Sequence, residues 1–181
     1  SNQQIMRLDT EPECQPLHPS QLTMAAVHQR YDAVVISDYD KGYVTLETID
    51  HLASRNPDIK IFVDTKKKKL PIHYPNVIYK INQKEFNSLD PDHIPKSENI
   101  IVTAGAEGAL WNKKQFQVPI TRVFDVTGAG DTFLAALVFY YIQLDSMEES
   151  IAFANRAAAI AVQNPGTYTL KMEDVDGILK S

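Results

Sequence analysis

The segment from Asp125 to Asp131 reads Asp-Val-Thr-Gly-Ala-Gly-Asp, and an apolar stretch that can form a helix follows it at once. Its Gly-Ala-Gly turn has little side-chain bulk, so backbone N–H groups can approach a ligand closely. Those N–H groups also open a helix, whose N-terminus carries partial positive charge. The turn therefore predicts an anion site suited to phosphate. It is not a Walker A loop, because no Lys-Ser or Lys-Thr pair follows the glycines.

The acidic residue that ends this turn, Asp131, has two interpretations. A carboxylate beside an anion site can act as a base that takes the proton of a hydroxyl attacking phosphorus, since phosphoryl transfer needs a residue that orients its nucleophile. Alternatively, Asp131 simply caps the helix, where Asp is a favoured residue. The residues by themselves leave both interpretations open.

Apolar, β-rich runs alternate with helical patterns along most of the chain. Such alternation predicts a mainly parallel sheet flanked by helices, with an antiparallel hairpin across Asn112-Lys113-Lys114. Ligands of such sheets bind beyond the carboxyl ends of the strands, so the turns that follow the strands are the first places to search. The predicted strands are 33–36, 59–64, 76–81, 99–103, 109–111 and 115–118, and the predicted helices are 44–54, 83–89, 131–143, 147–163 and 172–179.

The composition narrows the class of protein. The 181 residues have a formal net charge of −5, with 44% hydrophobic and 23% charged residues, which suits one globular domain and argues against disorder and general nucleic-acid binding. No apolar run is long enough for a membrane helix, and no leader pattern opens the chain. The single Cys14 excludes an internal disulfide and a cysteine-based zinc site. We expect a cytoplasmic enzyme or binding domain, with 1–25 as an extended connector or the end of a preceding part of the protein, and 26–181 as the folded part.

The segment 125–131 resembles the second signature of the PfkB, or ribokinase-like, carbohydrate kinases, and further motifs extend the resemblance over most of 30–175. The resemblance implies a ribokinase-like three-layer α/β/α fold with a mainly parallel sheet, and an enzyme that transfers a phosphoryl group from MgATP to a sugar hydroxyl. It implies that Asp131 is the catalytic base and also contacts the acceptor. It assigns Gly128, Ala129 and Gly130 to the anion hole, through the N–H groups of the last two.

The segment 82–85, Asn-Gln-Lys-Glu, resembles the Asn-x-x-Glu motif of the same family. The resemblance implies that Asn82 and Glu85 lie near the nucleotide phosphates and hold Mg²⁺ largely through water, as suits a cation that keeps much of its hydration. The alternative is a helix N-terminus with Asn82 as the cap and Glu85 in a capping box. The resemblance also implies a monovalent cation, K⁺, at Asp125 and Thr127.

Three further segments resemble nucleotide-binding parts of the family. Thr103, Gly105 and Gly108 match a turn that contacts nucleotide phosphates, although a tight turn into the hairpin would use the same residues. Asn155 matches a polar contact to adenine on an alanine-rich helix, a pattern that equally suits helix–helix packing. Gly166 matches a turn near the nucleotide.

The segment 36–42, Ile-Ser-Asp-Tyr-Asp-Lys-Gly, resembles the Ser-Asp-Tyr-Gly-Lys-Gly segment of heptose-7-phosphate kinases, which serve ADP-heptose and lipopolysaccharide synthesis. Residues 3–9 contain an Arg-Leu-Asp stretch similar to theirs. The resemblance implies heptose-7-phosphate as the favoured acceptor, with Lys41 neutralising the sugar phosphate and Asp38 as a nearby polar contact. Lys41 can equally be a solvated loop lysine.

Three places depart from the pattern of these kinases. Asp40 replaces a glycine, which carries a cost if the backbone there has a positive φ. The segment 64–66 reads Asp-Thr-Lys in place of Asp-Pro-Lys, and 80–82 reads Lys-Ile-Asn in place of Thr-Pro-Asn. Lys66 can still face the phosphates, whereas we expect the lysines at 67–69 to be solvated.

The resemblance does not extend to the N-terminal half of the family, which holds the first Gly-Gly motif, most sugar-binding residues and a β-sheet lid. Because a lid excludes water and completes the site, we expect weak or no turnover from the chain alone. We also expect exposed sheet surface that favours pairing with the missing half or self-association. Two alternatives stay open, namely a non-catalytic nucleotide-binding half-domain that needs a partner, and a kinase for another sugar or a nucleoside.

Overall fold

The computed structural model describes residues 14–18, 21, 31–119 and 121–180 of the chain. Most of the predicted connector over 1–25, including the Arg-Leu-Asp stretch, lies outside the described residues. Within the described ranges, no helix combines the length and the apolar character that a membrane span requires.

Six strands form one sheet whose spatial order follows their order in the chain. The first four strands are parallel, and the last two continue the sheet as an antiparallel hairpin. This confirms the predicted mainly parallel α/β architecture, and every strand bound lies within two residues of its prediction. The strands are β1 (Ala33–Asp38), β2 (Lys60–Thr65), β3 (Val77–Asn82), β4 (Ile100–Thr103), β5 (Ala109–Trp111) and β6 (Lys114–Phe116).

Helices cover both faces of the sheet. They are α1 (Leu46–Arg55), α2 (Gln83–Phe86), α3 (Ala129–Leu144), α4 (Met147–Ala161) and α5 (Met172–Leu179). Phe62 and Ile101 pack on one face against α3 and α4, while Val63 and Tyr79 pack on the other face against Ile49 of α1. This division follows from the two-residue period of a strand, which sends neighbouring side chains to opposite faces. The predicted three-layer arrangement is confirmed.

The helices begin in different ways, and the difference matters for the site. Thr45 and Thr48 form a capping box at the start of α1, and Ser146 caps α4 by accepting a hydrogen bond from the N–H of Glu149. Helix α3 has no side-chain cap, and the residue before it, Gly128, has a left-handed backbone. It begins two residues before its predicted start, so the glycine turn itself forms the first turn of the helix.

The first strand forms one edge of the described sheet. Val35 lies in register with Phe62, on the face that α3 and α4 cover, yet its exposed fraction is 49%. Tyr31, just before the strand, is 41% exposed. Apolar side chains at a sheet edge agree with the expectation of surface that another chain segment could cover.

The hairpin turn is shorter than predicted. Strand β6 already begins at Lys114, which lies opposite Trp111 and pairs with Glu148, so the turn consists of Asn112 and Lys113 alone. Both turn residues have positive φ, 47° and 64°. Two-residue hairpins favour such left-handed turns because their twist matches that of the strands.

Replacing Lys113 by glycine should stabilise the hairpin, because glycine adopts a positive φ without the steric cost that lysine bears. We expect the free energy of unfolding to rise by about 0.5–1 kcal/mol, as measured by urea denaturation. Lys113→Ala is the matched control, since it removes the same side chain but keeps the Cβ, and it should bring no gain. Equal gains from both variants would contradict the left-handed turn.

Candidate active site

Two cavities meet at the N-terminus of α3. The polar cavity, of about 130 Å³, lies at the carboxyl ends of β1, β2 and β3. The apolar cavity, of about 310 Å³, lies between the turn that follows β4 and helix α4. Gly130 lines both of them. The charged residues of the polar cavity are Asp38, Asp64, Lys66, Lys80, Glu85 and Asp131.

The start of α3 requires glycine at position 128. Its φ is 76°, in the left-handed region that favours glycine. A Cβ on Gly128 would also lie 2.6 Å from Cγ2 of Thr167, which is far closer than van der Waals contact. The backbone of the turn and the segment after α4 are therefore in direct contact.

The N–H groups of this turn divide into used and unused donors. Ala129 donates to the carbonyl of Val126 (3.2 Å), and Thr132 donates to the carbonyl of Gly128 (2.9 Å). Gly130 and Asp131 have no acceptor for their N–H groups among the described residues. The turn itself uses the Ala129 N–H, so the assignment of that donor to the anion hole stays a prediction. The available donors are those of Gly130 and Asp131.

The Asp131 carboxylate is exposed in the first turn of α3 and lines the polar cavity. No donor among the described residues forms a hydrogen bond with it, and the residue in the cap position is Gly128. The capping interpretation is therefore wrong. An unpartnered carboxylate next to unused N–H groups is the arrangement that a general base beside an anion site requires.

Asn82 and Glu85 form the capping box of α2, and both also line the polar cavity. Asn82 Oδ1 accepts from the N–H of Glu85 (2.9 Å), and Glu85 Oε2 accepts from the N–H of Asn82 (2.8 Å). The cap therefore orients these side chains at the cavity instead of removing them from it. Their amide and carboxylate oxygens are the donors that Mg²⁺ prefers. Within the described ranges no cluster of three His, Cys, Asp or Glu side chains is suited to a metal, so a divalent ion there would also need water or substrate ligands.

Asp125 organises the loop before α3. Its Oδ1 accepts from the hydroxyl (2.7 Å) and the N–H (2.9 Å) of Thr127, and its Oδ2 accepts from the N–H of Gly166 (3.0 Å). These bonds, with the Thr127 hydroxyl first, hold the pKa of Asp125 below its ordinary value. Gly166 does not line the apolar cavity, so its predicted contact with nucleotide has no support from its position. The K⁺ site at Asp125 and Thr127 stays a prediction.

Thr103, Gly105, Gly108 and Asn155 all line the apolar cavity, as the nucleotide prediction requires. The Thr103 hydroxyl donates to the carbonyl of Ile81 (3.3 Å). The Asn155 side chain is buried, and its Nδ2 donates to the backbone carbonyls of residues 116 (2.8 Å) and 117 (3.4 Å). Asn155 therefore ties α4 to the end of the hairpin and leaves only its Oδ1 for a ligand in the cavity.

Asp38 is buried, and its carboxylate is bound within the protein. It accepts from the hydroxyl of Thr65 (2.7 Å) and from the N–H of Asp40 (2.9 Å), and it forms an ion pair with Lys67 (3.2 Å). These bonds hold the loop after β1 against the loop after β2. A substrate contact from Asp38 stays a prediction, with most of its acceptor capacity already taken.

The departure from glycine at Asp40 has a structural explanation. Its φ is 57°, so the position does have the left-handed backbone that makes glycine favourable there. Lys67 Nζ lies 2.6 Å from Asp40 Oδ1 and offsets this cost. Burial lowers the pKa of Lys67. Its bonds to Asp40 and Asp38 raise the pKa by more than burial lowers it, so the net shift is upward. The expectation that Lys67 is solvated is wrong, because its side chain is only 12% exposed.

The two lysines considered for phosphate contact differ in position. Lys41 is exposed and lines neither cavity. Lys66 lines the polar cavity, with its Nζ 4.6 Å from the ring centroid of Tyr39. Lys66 is therefore the better-placed of the two for an anion bound near Asp131.

Sequence reasoning missed an ion pair in the wall of the polar cavity. Lys80 on β3 lies opposite Asp64 on β2, and its Nζ is 2.6 Å from Asp64 Oδ2. The signal was present, because Lys80 is the one charged residue in the strand Val-Ile-Tyr-Lys-Ile-Asn. Lys80 was noted only as a departure from the family pattern. Its partner, Asp64, follows from the register of β2 and β3.

The fold is that of an α/β protein of the ribokinase-like class. A family model described as pfkB family carbohydrate kinase matches residues 87–174. This part of the chain therefore matches the PfkB carbohydrate kinases. Bifunctional protein HldE of Nitratiruptor sp. is 32% identical, with 97% of this chain and 43% of that protein covered. Bifunctional protein HldE of Campylobacter curvus is 30% identical, with 100% and 44% covered, so the chain spans less than half the length of these curated relatives.

Solved structures show the same fold. Phosphofructokinase-2 from Escherichia coli, in complex with potassium, matches with a TM-score of 0.66 and 24% identity, covering 90% of this chain and 61% of that one. Ribokinase from Thermotoga maritima matches with a TM-score of 0.61 and 21% identity, covering 82% and 57%. The three-layer ribokinase-like prediction is therefore confirmed by known structures.

Replacing Gly128 by alanine should destabilise the protein, because the new Cβ meets Thr167 and the backbone keeps a positive φ. We expect a loss of about 2 kcal/mol or more in the free energy of unfolding. Gly177→Ala in α5 is the matched control, since a Cβ there meets nothing within 4 Å and alanine favours a helix. Adding Thr167→Ser, which removes the contacting methyl group, should recover part of the loss. A Gly128→Ala variant as stable as the wild type would contradict this account of the turn.

The bonds to Asp125 predict a pH-dependent contribution to stability. Because the folded pKa lies below the unfolded value, the contribution is present above the unfolded pKa and is lost as the pH falls through the folded pKa. Asp125→Asn should therefore lower Tm near neutral pH, and the difference from wild type should shrink in acid. Thermal unfolding from neutral to strongly acidic pH checks this, with Asp58→Asn in an exposed turn as the control. A Tm difference that stays constant with pH would refute the prediction.

Proposed function

We propose that this chain carries the nucleotide-binding and catalytic part of an ATP-dependent sugar kinase, with heptose-7-phosphate as the favoured acceptor. The observation that supports it most directly is the unpartnered Asp131 carboxylate beside the unused N–H groups of α3, at the junction of a polar and an apolar cavity. Phosphoryl transfer from ATP needs a base for the acceptor hydroxyl and an anion site for the phosphates. It also needs an apolar surface against which the adenine ring can pack. We expect such an enzyme to act in the cytoplasm.

The two cavities suggest how the nucleotide lies. The adenine ring would occupy the apolar cavity, where Phe133 and Val162 remove apolar surface from water and the turn at 103–108 lies alongside. The phosphates would then run past Gly130, which lines both cavities, toward the polar one. Negative charge on the phosphoryl oxygens would be stabilised by the N–H groups of Gly130 and Asp131 and by the helix N-terminus.

The chemical step uses Asp131 as the general base. Its carboxylate takes the proton from the acceptor hydroxyl as that oxygen attacks the γ-phosphorus of ATP. The new oxygen–phosphorus bond forms while the bond from the γ-phosphorus to the bridging oxygen breaks, and ADP leaves with that electron pair. Asn82 and Glu85 would hold Mg²⁺ largely through water, and the ion would supply charge neutralisation between the phosphates.

The choice of acceptor rests on the loop after β1. Ser37, Asp38 and Tyr39, from the segment that resembles heptose-7-phosphate kinases, form part of the wall of the polar cavity. Lys66 in the same wall offers an ammonium to an acceptor phosphate, with Lys41 as the second candidate on the loop. A kinase for another sugar or a nucleoside has no comparable local support in this chain.

The partner of this chain is proposed to be the remaining kinase half or a second copy. The apolar edge at Val35 supports it, as does the chain's span of less than half the length of its relatives. The chain's span of less than half the length of its relatives also supports the alternative of a non-catalytic nucleotide-binding half-domain. That alternative predicts MgATP binding without sugar-dependent ADP release even when the other half is supplied.

The test is ADP release with MgATP across a panel of sugars and sugar phosphates, on this chain alone and together with the N-terminal kinase half that the resemblance implies. Asp131→Asn should lower kcat by about 10²-fold or more, as loss of a general base does, while calorimetry shows MgATP affinity unchanged. Asp176→Asn, an exposed acid in α5, is the matched control and should keep full activity. Near-normal turnover by Asp131→Asn would overturn the base assignment. Turnover with other acceptors but not heptose-7-phosphate would overturn the choice of acceptor.

A further inference from the structure

Lys80 is a buried ammonium that the mechanism above leaves unused. It lies near the carboxyl end of β3 with its side chain 5% exposed, and its Nζ is 2.6 Å from Oδ2 of Asp64. A Cβ built on Gly130 would lie 3.0 Å from the same Nζ. The ammonium therefore lies directly beside the backbone of the first turn of α3, where a side chain on residue 130 would crowd it.

The packing of β3 gives no reason for a charge at this position. Ile78, which lies two residues before Lys80 and on the same face of the strand, is buried in the apolar layer against α3 and α4. Burying an ammonium is unfavourable unless its donors are satisfied. An ammonium has three N–H donors, and in the described part of the chain Asp64 is the one acceptor that Nζ contacts. Two donors therefore remain for another group.

The charges around Lys80 define what that group can be. The Lys80–Asp64 pair has no net charge, and Asp38 is already paired with Lys67. A phosphoryl group that enters the polar cavity must approach the carboxylates of Glu85 and Asp131 as well. The unused N–H groups of α3 oppose this repulsion with partial charges, and Lys66 in the same wall is assigned above to the acceptor phosphate. A full positive charge at the same place would offset it more strongly.

We propose that Lys80 is a further phosphate-binding residue of the kinase site. Its Nζ donates to an oxygen of the γ-phosphoryl group that the N–H groups of Gly130 and Asp131 bind, while Asp64 holds the ammonium in position. This rests on the kinase function proposed above. It also gives a chemical meaning to the departure at position 80, where the family pattern has the neutral hydroxyl of threonine.

The test compares ligands with different numbers of phosphates. The double variant Lys80→Met with Asp64→Asn removes both charges at once, so no unpaired buried charge remains to unfold the protein. Calorimetry with MgATP, MgADP and adenosine should show about tenfold to hundredfold weaker MgATP binding, a smaller loss for MgADP and none for adenosine. Lys60→Met, at the opposite end of β2, is the matched control and should bind all three ligands as the wild type does.

A second measurement needs no variant. In the wild-type chain with ¹⁵N-labelled lysine, the Nζ resonance of Lys80 should shift on addition of MgATP and shift less with MgADP. The proposal would be overturned by unchanged MgATP affinity in the folded double variant, or by a Lys80 Nζ chemical shift that does not change when MgATP binds. Either result would leave the kinase function standing. Equal losses for MgATP and adenosine would show a structural pair only, which also overturns it. Failure of the wild type to bind MgATP and MgADP would overturn the proposed function itself.

Discussion

The left-handed backbone at Gly128 sets the first residue of α3, and the chemistry of the site depends on that start. A residue with a capping side chain would satisfy the first N–H groups of the helix, whereas glycine leaves those of Gly130 and Asp131 without an acceptor in the described structure. Thr167 lies against Gly128, and Asp125 accepts from the segment after α4, so two contacts hold this turn in place. The donors are positioned by the fold before any ligand binds.

Charges near this turn are mostly arranged in pairs. Asp38 is bound to Lys67, and the buried Lys80 is bound to Asp64 on the neighbouring strand. Asp131 and Glu85 form no such pair among the residues described, and of these two only Glu85 is held by a backbone donor, the N–H of Asn82. A carboxylate that no protein donor holds can form a hydrogen bond with an incoming hydroxyl, whereas the paired carboxylates are already engaged. The pairing therefore separates acids that shape the loops from the acid that is available for chemistry.

The division into two cavities follows from the layers of the fold. The polar cavity lies at the carboxyl ends of the parallel strands, where loop residues carry the charges, and the apolar one lies beside α4, where small side chains such as Ala158 bring the wall close. Parallel sheets place their ligand sites at this edge because strand ends and helix N-termini converge there. Gly130 lies where the two environments meet, so one ligand with an aromatic ring and a phosphate chain suits both.

Much of this protein is determined by local sequence. The runs of apolar residues specify strands within two positions of their observed bounds, and the Gly-Ala-Gly turn specifies an uncapped helix start, because both depend on neighbours in the chain. The partners of polar groups were decided by the tertiary structure. Lys67 was expected in solvent and is bound to Asp38. Lys80 found its partner only through the register of β2 and β3. Burial and ion pairing join residues that are distant in the chain, and no local pattern contains that information.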